Sequence, residues 1–188
     1  MNDLFEKLIY SKFQYYSGHV VNQCLIVWLI YQGSLSFSGF DKEIILLYAL
    51  GALNWPLIEY VFHKFLYHKN TGPFMHGHDL HHQKPRELSG IPWYFYIPVL
   101  IGIFFVLKTQ FASTRFALVF AGVWSGYYSY TVMHHAVHHW NFKWSWFRKL
   151  KKHHDIHHTL PAFNIGVTST IWDWILGTKY LKKSERKA

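Results

Sequence analysis

The sequence has few residues that could cross-link the chain or divide it into parts. Its 188 residues include a single cysteine, Cys24, so an internal disulfide is excluded. Cys24 lies in an apolar run, where we expect it to serve as a small hydrophobic side chain. No linker-like stretch interrupts the chain, and its length suits one membrane-embedded domain over residues 1–188.

The first residues also lack the features of a cleaved signal peptide. Residues 1–17 mix polar and aromatic side chains, without a basic start, a short apolar core or a small-residue cleavage site. We therefore expect the chain to enter a membrane through spans that are not removed. The sequence likewise contains no phosphate-binding loop, flavin motif or activated nucleophile.

Acidic residues are scarce, whereas apolar and aromatic residues are abundant. The chain is 51% hydrophobic and 20% aromatic, a composition typical of proteins anchored at a membrane interface. Asn22 and Gln23 interrupt the first of four apolar stretches, and Pro92 and Pro98 shorten or bend the third. We predict an all-α integral membrane protein with about four transmembrane helices. The stretches are roughly 15–31, 44–62, 92–107 and 116–133.

The placement of the cations predicts a topology. The 19 Lys and Arg residues outnumber the 10 Asp and Glu residues, which gives a net charge of +9. If the chain crosses the membrane four times, the only cations on one side of it are Lys42, Lys108 and Arg115. The positive-inside rule then places both termini and the loop 63–91 in the cytosol. The excess positive charge suits binding to anionic lipid or to an acidic protein, and we expect no nucleic-acid partner.

Histidine is concentrated in one part of the chain. Of the 15 histidines, 14 lie between His63 and His158, near the predicted cytosolic ends of the second and fourth spans. The exception, His19, is expected to be an ordinary helix residue. Histidines three or four positions apart share a helix face and can point two imidazoles at one ion.

Three groups follow this spacing: His78 with His81 and His82, His134 with His138, and His154 with His157 and His158. His63 and His68 can meet if a helix turn unwinds at the end of the span. About ten candidate ligands, at about four to six per ion, favour two metal ions. Packing so many imidazoles together would be costly without such ions, because buried polar groups need partners.

The ligand type alone does not choose the metal. Imidazole suits iron, copper, nickel and zinc. Zinc has no redox chemistry, whereas iron can activate O2, and this site lies where lipid chains arrive. We therefore prefer iron, with zinc as its substitute in purified protein and O2 as co-substrate.

Sequence motifs around the histidines are similar to those of a known group of proteins. Glu59-Tyr60 precedes His63 and His68, and three further boxes and a closing segment follow. They are 74–82 with Pro85, 130–139, 153–158, and 164–169 with Trp172-Asp173 and Gly177-Thr178. Over about residues 59–178 the chain resembles the fatty acid hydroxylase and sterol desaturase superfamily, and most closely its fatty acid 2-hydroxylase branch.

The resemblance implies a four-helix membrane stem with a cytosolic, histidine-rich cap that holds two metal ions. Six further residues are expected to support ligands or substrate through hydrogen bonds. The ligands it implies are His63, His68, His78, His81, His82, His134, His138, His154, His157 and His158. The supporting residues are Glu59, His76, His135, His139, His153 and Asp155.

Three features depart from the family pattern. Lys64 stands where arginine is usual, the loop between His68 and His78 is short, and no cytochrome b5 domain precedes the first span. We therefore expect electrons from a separate cytochrome b5-like or ferredoxin-like protein. The basic stretch 143–152 could recruit such a donor, although attraction to lipid explains the same charges equally well.

The implied activity is O2-dependent hydroxylation of a lipid acyl chain, at carbon 2 of a fatty acid or fatty acyl lipid. Sterol desaturases, sterol C-4 methyl oxidases and carotenoid hydroxylases use similar boxes and are alternatives. A membrane metal carrier or sensor is an alternative from another class. A transporter should place its ligands near the bilayer midplane, whereas these gather at one end of the predicted spans.

Overall fold

The fold of this chain is helical throughout the part that the structure describes. A computed structural model describes residues 2–69 and 72–182, and these residues form helices and no strand. The predicted all-α fold is therefore confirmed. The helices are α1 (Asn2–Ile9), α2 (Lys12–Ser34), α3 (Lys42–Val61), α4 (Pro73–Gln83), α5 (Trp93–Gln110), α6 (Phe116–His139), α7 (Ser145–Thr159) and α8 (Ile171–Ile175). A π-helical turn, Phe62–Tyr67, extends α3.

Contacts group the chain into two compact units. The first unit comprises Met1–Trp55 and Glu87–Tyr128, and the second comprises Pro56–Arg86 and Ser129–Ala188. The chain passes from one unit to the other within α3 and again within α6. The single domain expected from the sequence stays a prediction.

The first unit packs its helices closely around a small apolar core. Leu25 and Leu29 of α2 meet Ile97 and Phe104 of α5 together with Ala117 of α6. The backbones of α3 and α6 also touch. A methyl group added at Gly51 would overlap the Val119 carbonyl, and one at Gly122 would overlap the Tyr48 carbonyl. Glycines allow this approach, as in many membrane helix pairs.

Asn22, which interrupts the first predicted span, has its polar atoms satisfied. Its Oδ1 accepts a hydrogen bond from Trp124 Nε1 at 2.8 Å, and its Nδ2 donates to the Gly18 carbonyl at 2.7 Å. Tyr96 lies within 2.9 Å of the same amide. An apolar surrounding tolerates a polar side chain when its hydrogen bonds are made internally, so Asn22 is compatible with a spanning helix.

Two helical segments of the described chain are long and apolar enough to cross a membrane. They are Lys42–Tyr67, which contains the second predicted span, and Trp93–Gln110, which contains all but the first residue of the third. Large apolar side chains of α5 such as Phe95 and Val106 stand exposed, as lipid-facing residues do. The helices α2 and α6 have 23 and 24 residues, sufficient in length to span. Their crossing, and the sides of the membrane, stay predictions.

Candidate metal centre

The π-helical turn at the end of α3 brings His63 and His68 together. Their rings stack with centroids 5.1 Å apart and an interplanar angle of 21°. A spacing of five residues separates two side chains widely around an α-helix, and the wider π-helical turn, with its hydrogen bonds from i to i+5, reduces this separation. The turn that the sequence predicted to unwind is thus a widened turn, and π-helical turns often occur at functional sites.

The two HxxHH boxes each divide their histidines between two groups. On α4, His78 and His82 point into one group, while His81 points into the other. On α7 the division is reversed, because His154 and His158 join the group that holds His81, and His157 joins His78 and His82. Residues four apart share a helix face, and the histidine one position earlier is turned toward the neighbouring group.

All ten predicted ligands therefore fall into two clusters of five. Within each cluster the candidate ligand atoms lie within 4.8 Å of one another. The first cluster is His63, His68, His78, His82 and His157, and the second is His81, His134, His138, His154 and His158. All ten belong to the second unit of the fold.

The two clusters are adjacent. His82 of the first cluster stacks on His158 of the second, with ring centroids 4.2 Å apart. The rings of His154 and His157, which belong to different clusters, lie 5.8 Å apart. This arrangement has room for two neighbouring ions, as a site for a two-metal reaction requires.

The spacing of the ring nitrogens suits metal binding better than hydrogen bonding. The Nε2 atom of His78 lies 3.0 Å from those of His63 and His82, and 3.1 Å from that of His68. One ring nitrogen cannot form three such hydrogen bonds, because it carries one proton or one lone pair. Two nitrogens at right angles around an ion, each about 2.1 Å from it, stand about 3.0 Å apart.

The second cluster shows the same spacing. The Nε2 atom of His138 lies 2.9 Å from that of His154, 3.2 Å from that of His81 and 3.3 Å from that of His134. The donor set therefore fits one metal ion in each cluster, held by neutral imidazoles. Which metal the clusters bind stays a prediction.

Burial keeps these imidazoles in the form that binds metal. Burial, reinforced by neighbouring histidines, lowers the pKa of His82 and His158 to about 3. The pKa values of His78, His81 and His154 lie well below the ordinary value for the same reasons. The rings are therefore neutral at pH 7, and their lone pairs are available without loss of a proton.

The loop after α7 fixes the orientation of one candidate ligand. The Nδ1 atom of His157 donates to the carbonyl oxygen of Phe163 at 2.9 Å. This bond requires the proton on Nδ1, so the Nε2 lone pair is directed into the first cluster. Asn164, with a φ of 55°, reverses the chain at this point, and its Nδ2 donates to the His153 carbonyl.

Asp173 of α8 holds the same loop. It is fully buried, and its carboxylate accepts the backbone N–H groups of Ile165 at 2.7 Å and Gly166 at 2.9 Å. It also accepts from the Thr178 hydroxyl at 2.7 Å and from His153 Nε2 at 3.0 Å. Burial would raise the pKa of Asp173, but these hydrogen bonds lower it below the ordinary value. The carboxylate of Asp173 therefore stays charged although it is buried.

Glu59 of α3 holds the next two residues of the loop. Its carboxylate accepts the N–H group of Val167 and both the N–H group and the hydroxyl of Thr168. Glu59 is 3% exposed, so its charge is buried, and these donors help to satisfy it. The conformation of the loop therefore depends on two buried carboxylates from two helices.

The remaining residues predicted to support the ligands lie in different surroundings. His153 is buried against Asp173, whereas His135 and His139 stack on each other, 4.1 Å apart, outside the clusters. His76 lies one turn from the N-terminus of α4 and is partly buried. Asp155 is exposed on α7. The supporting role of these residues stays a prediction.

Five residues that contact the centre or hold its loop are absent from the ligand and supporting sets predicted from the sequence. Asp173 and Asn164 lie in the closing segment that carries the resemblance, and Phe163 directly precedes that segment. Tyr67 and Tyr130 were also missed: Tyr67 stacks on His78 of the first cluster and Tyr130 on His134 of the second. The closing segment 164–169 with Asp173 was a visible signal, since a buried acid can satisfy several backbone N–H groups of a nearby loop.

Comparison with known proteins agrees with this geometry. A family model described as fatty acid hydroxylase matches residues 48–178. This chain belongs to that family. A dihydroceramide fatty acyl 2-hydroxylase of Arabidopsis thaliana is 30% identical over 147 residues, with 72% of this chain and 61% of the relative covered. A fatty acid 2-hydroxylase of Mus musculus is also 30% identical, with 70% of this chain and 39% of the relative covered.

A solved structure has a similar fold. The hydroxylase domain visible in full-length Scs7p superposes with a TM-score of 0.72 and 26% identity, and the match covers 86% of this chain and 66% of that one. The predicted resemblance to the fatty acid 2-hydroxylase branch is confirmed. The chain spans between 39% and 72% of the length of the six curated relatives.

Proposed function

We propose that this protein is a membrane dimetal oxygenase that hydroxylates a lipid acyl chain at carbon 2. The observation that carries the proposal is the pair of adjacent five-histidine clusters. In the part of the chain that the structure describes, both clusters consist of imidazoles alone. Family membership supports an O2-dependent lipid hydroxylase, and iron is preferred because it can activate O2. The names of the relatives support carbon 2 as the position oxidised.

The proposed reaction consumes O2, two electrons and two protons for each acyl chain. One oxygen atom enters the C–H bond next to the carbonyl group as a hydroxyl, and the other leaves as water. A pair of bound iron ions would supply the redox chemistry that this insertion needs. The electrons come from a separate one-electron carrier, as expected for a cytochrome b5-like or ferredoxin-like donor.

The protein's own residues position and protect this chemistry. His154 and His157 are fully buried, so bulk water is kept from that part of the clusters. The bond from His157 to Phe163 sets the direction of one ligand, and Asp173 and Glu59 keep the loop around Phe163 in place. Ligands held in this way need little rearrangement when metal and substrate bind.

The proposal includes four membrane spans, with both termini and the metal centre in the cytosol. The two apolar helical segments and the distribution of cations support it. Alkaline phosphatase fused in the segment 36–40, between α2 and α3, should be active, whereas a fusion after Ala188 should be inactive. The reverse result would contradict the proposed orientation.

The function is tested by the lipid profile of a host that makes no 2-hydroxy lipids. Expression of the chain should produce 2-hydroxy acyl chains, detected by mass spectrometry, and the H81A/H157A variant should not produce them. Altered sterols or hydroxylated carotenoids would assign the chain to another reaction of the superfamily. Bound metal without any change in lipids would favour a carrier or sensor.

A further inference from the structure

The helix α7 has two chemically distinct sides. His154 and His157 on its inner side are fully buried in the clusters, whereas Arg148, Lys149 and Lys152 are exposed. At about 3.6 residues per turn, these three cations centre on the side opposite the histidines. The metal centre and the positive charge therefore lie on opposite sides of one helix.

Two tryptophans lie at the start of the same helix. Trp144 and Trp146 are 57% and 53% exposed, and their rings stack with an interplanar angle of 16°. Lys143 lies beside them and is also exposed. We call this surface the basic face of α7. Its members are Lys143, Trp144, Trp146, Arg148, Lys149 and Lys152.

The cations of the basic face are available to a partner. Among the ion pairs of residues 2–69 and 72–182, none joins Arg148, Lys149 or Lys152 to an acidic side chain. The neighbouring Lys151 differs, because its Nζ donates to the Val137 carbonyl and holds α7 against α6. In the described part of the chain, no acidic side chain within ion-pair distance neutralises these three charges.

We infer that the basic face of α7 is the docking surface for an acidic one-electron carrier protein. The inference rests on the proposed function, which consumes two electrons per turnover. Exposed cations along the helix, with two exposed tryptophans at its start, suit an acidic protein, since opposite charges attract and arginine and tryptophan often dominate binding energy at interfaces. Such complementarity speeds encounter without requiring a large contact area.

The position of the face favours an electron carrier over a lipid surface. A protein resting on this side is separated from the clusters by α7 alone, which is about 10 Å thick. The rate of electron transfer falls steeply with distance, so this is a favourable approach. A bilayer on the same side would also be separated from the clusters by α7. The acyl chain of a lipid substrate must reach the clusters themselves, so this side is unfavourable for a lipid surface.

The test compares two charge-reversal variants of the full chain in nanodiscs of phosphatidylcholine. K149E/K152E changes the basic face, and R86E/K179E makes the same change of charge at exposed positions outside α7. The probes are the soluble haem domain of a cytochrome b5 and a plant-type ferredoxin. Binding is measured by surface plasmon resonance, and turnover is measured with each probe and with dithionite.

We expect K149E/K152E to weaken binding of at least one probe tenfold or more and to raise its KM similarly. The difference should shrink as salt is added, because exposed charges are screened. Turnover with dithionite should be unchanged, and R86E/K179E should behave like the natural sequence. If K149E/K152E does not fold, K149Q/K152Q replaces it.

Equal binding and equal KM in the two variants would overturn the docking surface. So would a difference that arises only when phosphatidylserine is added to the nanodiscs, since the face would then bind anionic lipid. If no protein turns over with any reductant, the proposed function fails, and the binding measurement still decides whether the basic face receives an acidic protein.

Discussion

His157 and Phe163 are joined by a hydrogen bond of 2.9 Å, from the imidazole Nδ1 to the backbone carbonyl. The carbonyl is held in place by the loop that follows it, and Asp173 accepts two backbone N–H groups of that loop. A carboxylate on α8 thereby influences a candidate metal ligand on α7 that it does not touch. This chain of contacts can be tested by substitution.

Asp173→Asn should loosen the loop and reduce metal binding. The amide has one oxygen to accept bonds where the carboxylate has two, so buried donors lose their partner, at a cost of about 2 kcal/mol. We expect a lower melting temperature and a lower metal content, measured by thermal unfolding and elemental analysis. Glu87→Gln, at an exposed position outside the clusters, also replaces a carboxylate by an amide; it is the control and should change neither. Equal behaviour of the two variants would show that Asp173 does not support the site.

His81→Ala and His157→Ala should each weaken a different metal position. His81 lies on α4 but belongs to the second cluster, and His157 lies on α7 but belongs to the first. Metal content should fall to half or less in each single variant and to near zero in the double variant. His19→Ala, outside both clusters, should keep the full content. A double variant that retains half of its metal would place both histidines at one ion.

Gly122→Ala should destabilise the first unit. The added methyl group would overlap the Tyr48 carbonyl, and the backbone of α3 cannot move aside without disturbing its helix. We expect a loss of about 1–3 kcal/mol in the free energy of unfolding. Gly102→Ala in α5 is the matched control, because a methyl group there meets nothing within 4 Å. Equal melting temperatures for the two variants would refute the close crossing.

Removal of metal should loosen the second unit selectively. The imidazole nitrogens of the two clusters are spaced to bind metal ions. When the ions are removed, the folded state loses the stabilisation that metal binding provides. Treatment with a chelator should raise hydrogen exchange in α4 and α7. Exchange in α2, which belongs to the first unit, should change little. Uniform change in all helices, or none, would contradict this expectation.

Much of the fold and the candidate ligand set could be predicted from the sequence. The apolar stretches correspond to α2, α3, α5 and α6, because length and hydropathy constrain a helix strongly. The ten histidines were selected by short spacings and by resemblance, and the structure gathers all ten. Local periodicity is sufficient for these features, since residues four apart in a helix share a face.

The division of the histidines between two clusters could not be predicted in this way. The sequence shows that His81 and His82 are adjacent, but only the packing of α4 against its neighbours decides which cluster each ring enters. Local spacing in the sequence also fails to predict which carboxylates support the clusters. Asp155 follows His154 directly and yet is turned outward by about 100°, whereas Asp173, far along the chain, folds back against His153.

Because the two boxes exchange histidines, a pair of bound ions would tie α4 and α7 together at both positions. Each helix contributes two rings to one position and one ring to the other. Binding of an ion at either position would therefore bring both helices into the geometry that the other metal-binding position requires. The two ions should load with positive cooperativity, and protein carrying a single ion should be a minor species during titration.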